Sequence, residues 1–396
     1  MSGEMKVFVI CGEVSGDGLA FDVLNYARHT LGINFTLYGL GGEKLKSLGL
    51  QSLFDINQLS VLGFVDVIKN ISKFKKLIEN TSQQIANLQP DIVLSVDSGG
   101  FCFRVCALAK QKLGEAACKT KFYHYVAPAV WAYGSERGQK LAKIYDKIFC
   151  LFNFEPPYFT KYGLEAICVQ NPYFITHTYS ENEINTFKKN YGITKPIVCI
   201  TLGSRRAEVD RHIAVIQKLL QQNYNVFENY NIIFLCTPQF YGLIKSSFSF
   251  LPSALILTAT EEKNIAIKLS SFALAKSGTN VMQFLCNNIK TLVFYKMSWI
   301  NYTIGKTFIK AKFANIANIV ANKMLVPEFV QGKCKPKLIA TAFRQMQNGV
   351  FDENFAKALL LIKNLEEIDV DNSKPTANST VNSTARQTIC KHIFGV

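Results

Sequence analysis

Apolar residues follow two patterns along this chain, and the two alternate. Short, nearly unbroken apolar runs (Lys6–Cys11, Asn34–Tyr38, Asp91–Val96, Lys121–Val126 and Lys147–Phe152) have the length of strands buried on both faces. Between them, stretches such as Leu19–Leu31 and Phe103–Leu113 repeat apolar residues at helical spacing. A polar stretch, about 174–195, ends in Pro196, and the rhythm then restarts. Ile197–Leu202, Ile232–Cys236, Ala254–Leu257, Phe272–Ala275 and Thr291–Tyr295 predict five further strands. Strand–helix alternation at this spacing predicts an α/β protein with two doubly wound, Rossmann-like domains. The expected boundaries are 1–175 and 190–345, then a helical segment over 346–368. A polar tail rich in Asn, Ser and Thr, 369–396, is expected to be mobile.

Composition agrees with two folded domains. The 396 residues are 48% hydrophobic and 18% charged, which excludes a disordered or collagen-like chain. Charge adds something the pattern does not. Lys+Arg of 44 against Asp+Glu of 29 leaves +15, and from Lys263 to Pro327 there are nine Lys and no acidic residue. Such an excess points to nucleic acid, an acidic membrane surface or a phosphate-rich substrate. RNP-type aromatics, zinc-ligand spacing and a recognition-helix signature are all missing, so nucleic acid is not expected as a partner.

No run reaches the roughly 18–20 apolar residues of a membrane span, and Val7–Cys11 is too short for a signal peptide's core. A cytoplasmic location is therefore expected. The eleven cysteines lack CxxC spacing. Cys11, Cys150, Cys199 and Cys236 lie in strand-like runs, and the close pair Cys102 and Cys106 also reads as structural.

Three glycine- or serine-bearing turns join a strand to a helix: Gly12–Gly18, Gly203-Ser204-Arg205 and Ser277-Gly278-Thr279. Turns of this kind direct backbone N–H groups at an anion. None matches GxGxxG or the P-loop, so neither a dinucleotide nor a Walker-type nucleotide site is expected. Two such turns in the second half predict that it holds a nucleotide diphosphate.

Longer motifs narrow the reading. Gly12-Glu13-Val14-Ser15-Gly16-Asp17, Gly63-Phe64-Val65-Asp66-Val67 and Tyr123-His124-Tyr125-Val126-Ala127-Pro128-Ala129-Val130-Trp131-Ala132 occur in that order. Phe154-Glu155, Gly203-Ser204-Arg205, Ser277-Gly278-Thr279, Tyr295-Lys296, Asn318 and Pro327-Glu328 with Gln331 follow. In this series the chain resembles the lipid-A-disaccharide synthases over roughly residues 6 to 340. The resemblance implies two Rossmann-like domains facing a central cleft, the GT-B glycosyltransferase arrangement. It further implies transfer of 2,3-diacylglucosamine from UDP-2,3-diacylglucosamine to the 6-hydroxyl of 2,3-diacylglucosamine 1-phosphate, with inversion and release of UDP. No cofactor or metal is implied, since helix N-termini and Arg205 can offset the departing charge. A homodimer and the inner face of the inner membrane are implied as well.

Residue by residue, Asp97 at the exit of the strand ending at Val96 matches the family's candidate base; a helix N-cap is its bland alternative. Glu13 and Ser15 are candidates for holding the acceptor, and Asp17 is expected to cap its own helix. His124 reads either as a proton shuttle or as a core histidine, and Tyr125 and Trp131 either as sugar platforms or as packing. On the donor side the candidates are Gly203, Ser204, Arg205, Ser277, Gly278, Thr279, Gln283, Asn318 and Glu328, with Gln331 behind them.

Several positions depart from the family. Gln283 stands where a ribose-binding Glu is usual, and charge-assisted bonds are roughly twice as strong as neutral ones. Asp97-Ser98-Gly99-Gly100-Phe101-Cys102 replaces Asp-x-Pro-Asp-Phe-Asn, and Asn171-Pro172, Leu202 and Gly134 replace a His-containing turn, a Pro and an Arg. A relative that binds substrates without turnover therefore remains a second reading. Asp369-Val370-Asp371 formally matches a metal-binding Asp-x-Asp but opens a polar tail instead of following a strand.

Gly63–Ile78 sets Val65, Val67, Ile68, Ile71 and Phe74 at helical spacing beside Lys69, Lys73, Lys75 and Lys76. It reads either as a surface helix or as a membrane-interface helix. Met297–Phe313 repeats the theme with Trp299, Tyr302, Lys306, Phe308, Lys310 and Lys312.

Overall fold

The computed structural model describes residues 4–59, 71–134, 136–169, 171–172, 174, 177–299, 302–303, 312–366 and 381–396. Two compact units form: one takes the residues up to Pro172 and the C-terminal helix, the other the described residues between them. Each is built on a six-stranded sheet whose strand pairs are all parallel.

The first sheet comprises β1 (Met5–Cys11), β2 (Phe35–Leu40), β3 (Ile92–Val96), β4 (Lys121–Tyr125), β5 (Lys147–Cys150) and β6 (Glu165–Cys168), in the order β2-β1-β3-β4-β5-β6. On one face lie α1 (Val14–His29) and the C-terminal helix; on the other lie α2 (Ile71–Leu88) and α3 (Gly99–Leu113). The buried runs of β1 and β3 explain why no polar alternation shows in these strands: both faces are covered.

The second sheet comprises β7 (Ile197–Thr201), β8 (Asn231–Leu235), β9 (Leu255–Leu257), β10 (Ser270–Lys276), β11 (Lys290–Tyr295) and β12 (Glu328–Val330). Its order is β12-β11-β10-β7-β8-β9, the Rossmann order read from the other edge. The helices used below are α4 (Arg206–Gln222), α5 (Thr260–Leu269), α6 (Thr279–Cys286), α7 (Ile316–Ala321), α8 (Pro336–Gln347), α9 (Asp352–Glu366) and α10 (Val381–Phe394).

Two strands escape the sequence pattern, and both are short sheet edges. β6 is Glu165-Ala-Ile-Cys and β12 is Glu328-Phe-Val; each opens on a glutamate and is only partly buried, so neither stands out as an apolar run. The polar tail also needs correcting from residue 381 onward. Ala385, Ile389, Cys390 and Ile393 form a helical stripe buried against α1, and Phe394 stacks on Phe35 at 5.8 Å. That stripe is diluted by Asn, Ser, Thr and Lys, so composition conceals it.

Both sheets reverse direction in their strand order, the first between β1 and β3, the second between β7 and β10. Open α/β sheets bind ligands outside the carboxyl ends of the strands at such a switch point. The candidate turns leave these four strands: Gly12–Gly18 and Asp97–Gly100 in one unit, Leu202–Arg205 and Lys276–Thr279 in the other.

Candidate active site

In the first unit the exits of β1 and β3 touch. A Cβ on Gly12 would lie 2.5 Å from Ser98 Oγ, and one on Gly16 would lie 3.1 Å from the Val96 carbonyl oxygen and 3.7 Å from Asp97 Cβ. Glycine at both positions lets the turn bearing Glu13 and Ser15 close onto Asp97. Asp97 and Ser98 take φ of 52° and 44°, and Val126 on the neighbouring strand takes 73°. Left-handed backbone is uncommon for Asp and Ser and an outlier for Val, so conformational strain collects at this one edge. The Asp97 N–H donates to the Tyr125 carbonyl (3.0 Å) and Asp97 Oδ1 accepts from the Ser98 N–H (2.8 Å). Asp97 and Glu13 are half-buried and Ser15 is exposed.

Asp17 does not cap its own helix. Its buried carboxylate accepts from the N–H groups of Gly42 (2.6 Å), Lys44 (3.0 Å) and Leu45 (3.3 Å), fixing the start of the short helix Glu43–Ser47. Trp131 is half-buried; its indole N–H donates to Glu155 Oε1 (3.1 Å) and its ring meets Phe154 edge-on at 5.7 Å. Glu155 Oε2 accepts from the N–H groups of Leu151 and Phe152, and burial pushes this carboxyl up to about 7.

His124 and Tyr125 need correction as site residues. His124 lies inside the core, with Nδ1 2.8 Å from Ser95 Oγ and Phe103 and Tyr145 against its ring; burial lowers it to about 3. A ring that stays neutral and sealed from solvent cannot shuttle a substrate proton. Tyr125 is equally buried and meets Phe149 edge-on. Strand alternation hides this, because both faces of β4 are covered.

In the second unit, Gly203 takes φ of 116°, Ser204 is exposed, and Arg205 stands at the N-cap of α4. Glu208, in the first turn of α4, is buried and gathers its neighbours: Arg205 Nη1 at 3.8 Å, Lys276 Nζ at 3.3 Å and the Tyr295 hydroxyl at 3.1 Å. Ser277 spends its own donors on the fold, the N–H on the Phe294 carbonyl (3.1 Å) and the hydroxyl on the Ala314 carbonyl (2.5 Å). Gly278, at φ 146°, and Thr279 then open α6. The Gln283 amide donates to Asn264 Oδ1 (3.3 Å), and Asn264 Nδ2 lies 3.1 Å from His177 Nε2.

Asn318 and Glu328 are corrected as direct nucleotide contacts. Asn318 is fully buried; Nδ2 donates to the Val326 carbonyl (2.7 Å) and to Glu328 (3.1 Å), and Oδ1 accepts from Leu325 and Val326 N–H (2.8 Å each). Glu328 also accepts from the N–H groups of Ala314 and Asn315 and from the Asn315 side chain. With their bonding capacity used, the pair holds Ala314 against the Ser277 turn. Gln331, at φ 52°, clamps the Met297 backbone by both amide atoms (3.1 and 3.0 Å).

With this geometry in view, the comparisons decide the family. The lipid-A-disaccharide synthetase family matches residues 7–377. The chain belongs to that family. The lipid-A-disaccharide synthase of Rickettsia akari is 35% identical over 345 residues, covering 86% of each chain. That of Rickettsia prowazekii is 34% identical over 343 residues, covering 86% of this chain and 88% of its own. Among solved structures, the UDP-GlcNAc 2-epimerase of Neisseria meningitidis bound to UDP-GlcNAc aligns over 99% of this chain and 100% of its own, with TM-score 0.59 and 12% identity. An α,α-trehalose 6-phosphate synthase of Burkholderia multivorans aligns over 99% and 98%, with TM-score 0.53 and 11% identity. At such identities these likenesses speak to fold alone.

Within this lipid-A-disaccharide synthetase chain, Val65, Val67, Ile68, Lys69, Lys306, Phe308, Lys310 and Asp369–Asp371 lie outside the described residues. Ile71 is exposed, whereas Phe74, Leu77 and Ile78 pack against the core. Trp299 is 66% exposed with Tyr302 edge-on at 5.8 Å. No helix among the described residues is long and apolar enough to cross a membrane.

Glu208 and His212 are site-building residues that sequence reasoning missed; Glu155 stood in the Phe154-Glu155 motif but without a role. Glu208 had a local signal, three residues after Arg205 at a helix start. The pairing of Glu155 with Trp131 had none, since 24 residues separate the two. His212 Nδ1 donates to the Leu202 carbonyl (2.6 Å) and Nε2 accepts from the Lys296 N–H (3.0 Å), so a neutral ring ties two strand exits together. Burial lowers it from 6.5 to about 4. The sign follows: above pH 6.5 its contribution is complete, it declines as the unfolded chain takes up a proton, and below about pH 4 it is flat. The loss amounts to about 3 kcal/mol. Glu328, raised by burial, works in the opposite direction, so a difference isolates the histidine. Urea unfolding of wild type and His212→Gln between pH 7 and 4 should show a wild-type advantage that shrinks on acidification. An advantage constant with pH would refute the neutral-ring assignment.

Proposed function

We propose that this chain is an inverting UDP-sugar transferase that makes the β-1,6 lipid A disaccharide 1-phosphate. The acceptor 6-hydroxyl oxygen of 2,3-diacylglucosamine 1-phosphate attacks C1 of UDP-2,3-diacylglucosamine. As the new C1–O bond forms, the C1–O bond to the diphosphate breaks, UDP leaves with the electron pair, and the hydroxyl proton passes to Asp97. The observation that carries this reading is the contact of the two turns at the first switch point, where Gly16 of the turn bearing Glu13 and Ser15 packs against Asp97. Glu13 and Ser15 hold the acceptor, and Trp131, braced by Glu155, serves as an apolar platform for the sugar. In the second unit, Ser204, Arg205 and the N–H groups at Gly278 and Thr279 stabilise the departing diphosphate, and Gln283 accepts from the ribose. This chemistry needs no metal. The UDP-GlcNAc held by the Neisseria epimerase supports a nucleotide-sugar donor.

Acylated substrates place the work at the inner face of the inner membrane, and exposed Ile71 and Trp299 support that location. Purified protein incubated in detergent with both substrates should yield the disaccharide and UDP, and Asp97→Ala should yield neither. Product no greater than in that variant would favour the second reading, a relative that binds without turnover, for which Gln283 and Gly99-Gly100 speak.

A further inference from the structure

The buried ring of His124 is tied on two sides to the sheet edge that carries Asp97. Ser95 on β3 and His124 on β4 are partners in register; Asp97 lies two residues beyond the first and Val126 two beyond the second. Ser95 Oγ is 2.8 Å from His124 Nδ1, 3.2 Å from the Tyr123 carbonyl oxygen and 3.0 Å from the Tyr145 hydroxyl. The Val126 backbone is the other hydrogen-bond partner of the ring. A neutral imidazole has one donor and one acceptor, and these two bonds use both. Ser95, His124 and Tyr145 are all buried, so bulk water does not replace a lost partner.

Val126 needs such a hold. Its N–H and that of Ala127 both donate to the Phe149 carbonyl, at 3.1 and 3.0 Å, a kink of the bulge kind whose first residue has φ of 73°. Glycine takes that conformation freely and a β-branched valine does not. The strain reaches Asp97 through one peptide group. The Tyr125 carbonyl accepts the Asp97 N–H at 3.0 Å, and the Val126 N–H is the other half of the same planar unit. Relaxing Val126 to a negative φ turns that plane away from Asp97 or pulls Ala127 off Phe149.

We propose that His124 is a positioning residue for Asp97: by bridging Ser95 and Val126 it holds the strained exit of β4 from which the Asp97 backbone takes its bearing. It does so without touching substrate. The inference rests on the reading of Asp97 as the base that takes the acceptor proton, and adds to it the residue that keeps this base in place.

A double-variant cycle on the full chain tests it, with kcat for disaccharide formation and calorimetric affinity for UDP as the two readouts. His124→Leu should lower kcat about 10- to 100-fold and leave UDP affinity unchanged. In a Val126→Gly background, where a positive φ carries no penalty, the same substitution should cost only a small part of that. Ser95→Ala is a smaller cut in the same core and should show the same dependence on the background, even where His124→Leu folds poorly. An equal loss of kcat in both backgrounds would make His124 plain core packing and overturn the proposal, as would wild-type kcat in His124→Leu. Wild-type turnover in Asp97→Asn, or none in the wild type, is a different result: it removes the base, and this inference with it.

Discussion

Replacing Asp97 with Asn should lower turnover by about 10²–10⁴-fold, the range of a positioned general base. Asparagine is the informative substitution because the position is strained. Asp97 has φ of 52°, a conformation that Asn tolerates about as well as Asp and Ala tolerates poorly. An amide oxygen can still accept the Ser98 N–H that the carboxylate now accepts at 2.8 Å. The backbone turn and the approach of Gly16 are thus retained, while the carboxylate proposed to take the acceptor proton is lost. The melting temperature and the affinity for UDP should stay at wild-type values, with the loss confined to kcat. A variant that keeps wild-type turnover would remove Asp97 as the base. One that melts early would make it a capping residue instead.

The contrast between Asp97 and His124 shows what was legible in the sequence. Asp97 stands one residue beyond a buried run, at a strand exit where open sheets present chemistry, and the family resemblance then marked it as a candidate base. His124 lies inside such a run. One sequence cannot tell which face of a doubly covered strand is wet, because neither is. The other ten strands and the switch-point turns were readable for the same reason: parallel strands under helices are continuous apolar runs. The edge strands β6 and β12 were not, because each opens on a glutamate and is only partly buried. Lys276 and Glu208 are 68 residues apart in the chain, so their pairing exists only once β7 and β10 lie side by side. Asn318 and Glu328 were expected at the nucleotide, but their side chains are spent on the fold: they hold the loop that holds Ser277.

That hold on the loop has the larger structural consequence. Asn318→Ala should strip partners from Leu325 N–H, Val326 N–H, the Val326 carbonyl and Glu328 Oε2, all of them buried. Each unsatisfied buried group costs about 1–3 kcal/mol, and neighbouring losses are not additive, so a local penalty on the order of 4 kcal/mol is expected. Hydrogen-exchange protection at Leu325 and Val326 should then fall about a thousandfold, while that of β3 in the first unit stays unchanged. UDP affinity should drop with it, because Ala314 no longer steadies the Ser277 hydroxyl. Asn318→Asp separates this network from simple loss of packing. It keeps the acceptor facing Leu325 and Val326 but sets a second carboxylate against Glu328, across a contact now 3.1 Å long. Two carboxyls at that distance share a proton, which raises the folded-state pKa above the unfolded one. Protection in Asn318→Asp should therefore be best below about pH 4 and decline as pH rises through the shared carboxyl's raised value. Asn318→Ala, measured alongside at each pH, should show no such recovery on acidification. Parallel pH profiles for the two variants would mean that Asn318 fills space and that the loop is held by something else.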